Sequence, residues 1–114
     1  RLEQQRDFWK AEFAAEVNVL ELPTDYARPS ERSHRGSGKS VLLDKTVTDK
    51  LKSAGESSGA TMFMTVLSIF NILLSKLSNQ EDITIGTPVA GRDHADLEGI
   101  IGMFVNTLVL RNYP

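Results

Sequence analysis

The sequence predicts an α/β fold, and three observations carry that expectation. Apolar residues recur at helical spacing in two separate stretches, at the start of the chain and again after residue 61. Short apolar runs of strand length stand at 40–44, 82–89 and 103–111. The stretches between them are rich in Gly, Pro and charge, so the elements are punctuated rather than continuous.

The first helix is predicted over residues 1–15, where Leu2, Arg6, Trp9 and Phe13 share a face, with Phe8 beside them. Arg1 already falls inside that pattern, so the expectation is a piece of a longer protein. Residues 20–40 hold two prolines, two glycines and alternating charges, and predict a long extended surface segment. Ser40 to Asp44, SVLLD, predicts a short strand, followed by a helix capped at Thr48 and ending near Ser57.

Gly59 breaks the chain, and Thr61 predicts the cap of a second helix, MFMTVLSIFNILLSKL, about 25 Å long. Its small polar residues Thr65, Ser68, Asn71 and Ser75 lie along one face, and the rest is apolar nearly all round, as in a helix buried in a protein. A membrane span is the weaker reading, because Thr, Ser or Asn interrupts every apolar run after two or three residues. DITIGTPV, 82–89, predicts a strand entering a Gly/Pro turn; GRDHADLEG predicts a polar loop or short helix.

The last strand is predicted from Met103 to Arg111. Alternation puts Met103, Val105, Thr107, Val109 and Arg111 on one face, and Phe104, Asn106, Leu108 and Leu110 on the other. Both faces are largely apolar, which predicts cover on each side. Asn106 interrupts the second row, and an amide taken out of water without a partner costs about 1 to 3 kcal/mol. Two readings stay open: it holds loop backbone by hydrogen bonds, or it lines a polar cavity where both halves of the amide are used. Arg111, on the opposite face, reads as a surface or ion-pairing arginine.

Composition narrows the function classes. Hydrophobic residues at 40% and charged residues at 25% exclude disorder and collagen-like structure. A formal charge of -2 provides no basic stripe for a phosphate backbone, so nucleic acid is not an expected partner. The absence of cysteine removes disulfides and thiolate metal sites, and a cytoplasmic location is the expectation.

RGSGKS, 35–40, resembles a phosphate-binding loop until it is counted, because the required first glycine would stand at Ser33. It also follows a Pro-rich segment and precedes a predicted strand, the reverse of the order that loop needs. His34 and His94 lack companions at metal-binding spacing, and Asp93-His94-Ala95-Asp96 reads as a solvated charge cluster, so no metal is expected. No serine sits in a GxSxG elbow, and the chain alone holds no complete catalytic constellation.

Ile101-Gly102-x-Phe104-Val105-Asn106-Thr107, followed by Arg111, resembles the fifth core motif of condensation domains of nonribosomal peptide synthetases, (I/V)GxFVNT and then an arginine. FWKAEF, LELPTDYARP, SHRG, ATMFMTVLSIFNILLSKLSNQEDITIGTPVAGR and LEGIIG are similar to the stretch of that family between its fourth and sixth motifs. The resemblance covers residues 1–111. It implies a fragment, 1–114, of a single condensation domain, incomplete at both ends, within a chloramphenicol-acetyltransferase-like (CoA-dependent acyltransferase) fold of two α/β subdomains. The piece would belong to the C-terminal subdomain. Epimerization and heterocyclization relatives carry different residues at FVNT, so an amide-forming domain is the closer match.

The family reaction, attack of an acceptor aminoacyl amine on a donor peptidyl or acyl thioester, is what the resemblance implies for the parent protein. The family's HHxxxDG motif is absent, and neither His34 nor His94 replaces it, so the isolated fragment is expected to be inactive. By resemblance, Asn106 would be a supporting, tunnel-lining residue of catalysis. Phe104 and Thr107 would contact substrate, and Gly102 and Arg111 would be structural positions of the motif, with Arg111 bracing the strand against a carboxylate. No cofactor is expected on this chain, since 4'-phosphopantetheine would carry the substrates on partner carrier domains. The implied partners are peptidyl carrier domains, the adjacent adenylation domain and the rest of the condensation domain, with self-association of the fragment and no membrane. A non-catalytic scaffold or carrier-docking module is the alternative.

Overall fold

The computed structural model describes residues 2–31, 33–92 and 94–114. In order it contains α1 (Leu2–Glu12), α2 (Lys45–Ser57), α3 (Met62–Ser78), β1 (Ile83–Ala90), a short 3-10 turn (Ala95–Leu97) and β2 (Val105–Asn112). The chain divides into two compact units, residues 21–79 and residues 1–20 with 80–114.

In the unit of residues 21–79, two helices form a hairpin, and the described residues before it from 21 to 44 are exposed coil. Asp44 caps α2 by accepting a hydrogen bond from Val47 N at 2.8 Å. The cap predicted at Thr48 is therefore four residues late. Thr48 lies in the first turn, and its hydroxyl donates to Asp44 O at 2.9 Å. The strand predicted at 40–44 does not form, and Val41 and Leu42 are almost fully exposed. Among the described residues no strand pairs with them, and an apolar run without a ladder stays coil.

The end of α2 is fixed by three backbone hydrogen bonds, Ser58 N to Gly55 O at 3.0 Å, Gly59 N to Glu56 O at 3.1 Å and Ala60 N to Gly55 O at 2.8 Å. Gly59 takes φ +66, the left-handed conformation this stop requires. Thr61 then caps α3 by accepting from Met64 N at 3.2 Å, as its position predicts. Close packing of the hairpin depends on Gly55, because a Cβ there would overlap the Thr65 hydroxyl.

The cover on α3 corrects the expectation of a helix buried all round. Asn71 and Leu74 are buried, while Phe63, Met64, Val66, Ile69, Phe70, Ile72, Leu73 and Leu77 are exposed. Its small polar side chains turn back on their own helix: Thr65, Ser68, Asn71 and Ser78 each donate to the carbonyl four residues earlier. The buried Asn71 Oδ1 has no donor among the described residues. No single described helix is long and apolar enough to cross a membrane, and α2 and α3 reach that length only together, bent by 102°.

In the other unit, α1 stops at Glu12, shorter than predicted, and stacks Trp9 on Phe13 at 5.9 Å between ring centroids. β1 and β2 pair antiparallel from Ile83↔Asn112 to Ala90↔Val105. β1 runs on through Gly86 and Pro88, so the predicted Gly/Pro turn is not there. Pro88 is tolerated because each strand of a two-stranded sheet is an edge strand, where a missing N–H can face away from the ladder. Ile83 is fully buried, the only such large side chain among the described residues. The expected cover on both faces of the last strand is absent at residues 105–108, all of them exposed.

Candidate functional site

The register settles directions on β2. Asn106 stands opposite Val89 and Thr107 opposite Pro88, so the two neighbours point to opposite faces. Leu108 and Leu110 share the Asn106 face, while Val109 and Arg111 share that of Thr107. Asn106 is exposed, and its Oδ1 accepts from the next residue's own amide, Thr107 N, at 2.8 Å. The amide is thus solvated and locally satisfied rather than buried, and no other described residue bonds it.

The chain between the strands, residues 91–104, brings the motif's first residues against β1. Gly91 N donates to Phe104 O at 2.6 Å, and a Cβ on Gly91 would come within 3.3 Å of that oxygen. Arg92 donates through Nη1 to Leu97 O and through Nη2 to Gly102 O at 3.0 Å. Its guanidinium also stands 4.4 Å over the Phe104 ring. Pro88, Val89, Ala90 and Arg92 with residues 101–105 line an open, mainly apolar groove of about 700 Å³. Phe104 and Gly102 therefore belong to one groove wall, with Asn106 one position beyond its last lining residue, Val105. Thr107 lies on the opposite face, and the structure does not bring it to Phe104.

Arg111 meets the carboxylate of Asp82, with Nε to Oδ1 at 2.9 Å and Nη2 to Oδ2 at 2.5 Å. This is a two-pronged pair, with side chains only 5% and 13% exposed. The hydrogen bond from Arg111 holds the Asp82 carboxyl below its ordinary 3.8, with burial opposing and the arginine's charge assisting. Arg111 is raised in turn, chiefly by the same hydrogen bond. Its Nη1 donates to Glu12 O at 2.6 Å, occupying a carbonyl that the end of α1 leaves open. Phe13 and Tyr113 place their rings 5.6 Å from the guanidinium.

His94 caps the 3-10 turn, its Nδ1 accepting from Asp96 N at 3.3 Å. Asp93, part of the charge cluster noted in the sequence, lies outside the described residues. No group of three or more His, Cys, Asp or Glu able to hold a metal occurs among the described residues. Sequence reasoning missed Arg92 and Asp82. Asp82 could have been found from hairpin register, since it directly precedes the β1 residue paired with Asn112. For Arg92 the only local signal was its place after Gly91, where a strand ends.

A condensation-domain family profile matches residues 1–114. Tyrocidine synthase 3 of Brevibacillus parabrevis is 47% identical over 111 residues, which is 97% of this chain and 2% of that protein. Bacitracin synthase 2 of Bacillus licheniformis is 49% identical over 114 residues, covering 100% of this chain and 4% of the other. The chain thus spans a few hundredths of the length of these curated relatives. Among solved structures, a holo four-domain nonribosomal peptide synthetase bound to AMP and glycine is 36% identical, with a TM-score of 0.83 over 95% of this chain and 8% of that one. The X-domain in its complex with OxyB from teicoplanin biosynthesis is 32% identical, with a TM-score of 0.84 over 96% of this chain and 24% of that one. With its full length matched by the family profile and its fold shared with a synthetase, the chain belongs to the condensation domain family.

Proposed function

We propose that residues 1–114 form part of one amide-forming condensation domain in a nonribosomal peptide synthetase, and that Asn106 serves its reaction. The acceptor amine attacks the donor thioester carbonyl, the C–N bond forms, the C–S bond breaks, and the proton the amine gives up ends on the released thiol of the donor arm. Catalysis of this step depends on holding two tethered reactants in line and on donors aimed at the developing oxyanion. Both substrates arrive on the phosphopantetheine arms of carrier domains in the same cytoplasmic multienzyme, next to an adenylation domain.

The observation that carries this reading is the placement of Asn106, an accessible amide on a strand next to an apolar groove lined by the first residues of the same motif. Its Oδ1 is engaged by Thr107 N, which fixes the side chain and leaves Nδ2 as the available donor. That donor would orient a substrate carbonyl or the loop bearing the HHxxxDG histidine. Phe104 would contact substrate through the groove. Thr107, facing the other way, acts through its backbone N–H on Asn106.

In a synthetase module containing this chain, Asn106→Ala is expected to keep the fold and lose most, though not all, amide formation between loaded carrier domains, a fall of about 100-fold or more. Unchanged turnover would overturn the role of Asn106. It would favour the scaffold or carrier-docking reading, which draws on the absence of HHxxxDG from these 114 residues.

A further inference from the structure

We infer that Arg92 is a positioning residue for Phe104 and Asn106, an inference that rests on the function proposed for Asn106. The ladder between β1 and β2 ends at Ala90↔Val105, one residue pair beyond Val89↔Asn106. A two-stranded ladder frays at such an end unless something outside it closes the strands together. Two consecutive residues do so here. Gly91 N takes Phe104 O at 2.6 Å, and Arg92 reaches across the connection to Leu97 O, Gly102 O and the face of the Phe104 ring.

One planar fork thereby holds the 3-10 turn, the motif glycine and the motif phenylalanine at once. The direction of the Asn106 amide is inherited from that closure, because a slip at Val105 would turn Asn106 toward the opposite face. A lysine cannot take over, since its single ammonium lacks both the fork and the flat surface that stacks on a ring. Arg92 is half-buried against these partners, so its role is geometric and not that of a free surface charge.

The test is a double-variant cycle in a synthetase module containing this chain, with amide formation measured against the concentration of each thioester-loaded carrier domain. Arg92→Met is expected to lower kcat about 10- to 100-fold, the scale of a misplacement near an ångström, with a smaller rise in KM for the thioester that Phe104 contacts. Arg92→Lys should recover little of that loss. Added to Asn106→Ala, Arg92→Met should cost clearly less than it does alone, because part of its effect passes through Asn106. Wild-type kcat in Arg92→Met, or fully additive losses in the double variant, would overturn the inference.

Should Arg92→Met fail to fold, the cycle is completed with Arg92→Lys and joined to amide hydrogen exchange at Val105 and Asn106. Faster exchange confined to the closed end of the ladder supports the inference, and wild-type protection there refutes it. If Asn106→Ala alone leaves turnover intact, the proposed role of Asn106 fails by itself, and Arg92 is then judged on that exchange measurement.

Discussion

Arg111 satisfies three kinds of group with one guanidinium: a carboxylate, a helix-terminal carbonyl and two aromatic rings. The depressed pKa of Asp82 gives the pair a definite pH signature. A carboxyl held below its unfolded value adds stability above that value and loses it as pH falls through the folded one. The contribution is therefore complete at neutral pH and is lost progressively as pH falls from about 3.8 through the lower folded value. Acid unfolding of the module compared with Asp82→Asn should show a stability gap at neutral pH that closes only in that acid range; a gap constant down to pH 2 would contradict it. The sequence anticipated a carboxylate for Arg111 but not which one, because their separation of 29 residues is bridged only once the hairpin register is known. For Asn106, alternation along the strand correctly put it with Leu108 and apart from Arg111. Its burial was misjudged, because strand apolarity reports cover without saying which chain supplies it.

Among the elements, the hairpin of α2 and α3 was the most legible. Its determinants are local: Thr61 caps, Gly59 takes a left-handed turn, and both act within a few residues of their own positions. Asp44 prevailed over Thr48 because its carboxylate reaches the third amide of the helix, whereas Thr48 already follows three helical residues. The missing strand at 40–44 is the opposite case, since a strand exists only with a partner that local pattern cannot specify. Gly55 was not anticipated either, for its need arises where α2 crosses Thr65. Gly55→Ala should destabilise the module by about 1 to 3 kcal/mol through overpacking, despite alanine's better helix propensity. Denaturant titration with an unchanged or raised midpoint would show that the hairpin can yield there.

At the scale of the whole molecule, the apolar pattern outruns what this chain covers. α3 exposes Phe63, Ile69, Phe70, Leu73 and Leu77, and the sheet offers two unpaired edges. Surfaces of this kind associate with one another when nothing else meets them. The isolated 114-residue chain should therefore self-associate and show no amide-forming activity. Light scattering that gives a monomer mass at every concentration would count against the first expectation, and turnover of loaded carrier domains against the second.

The bond from Arg111 to Glu12 O also sets an order in time. Its partners are 99 residues apart, so a ribosome making about 5 to 20 residues each second delivers the second roughly 5 to 20 s after the first. Throughout that interval the Glu12 carbonyl at the end of α1 is without its Arg111 partner. The end of α1 is secured by an arginine made 99 residues later, and these two elements can be joined only after the helical hairpin between them has been synthesised.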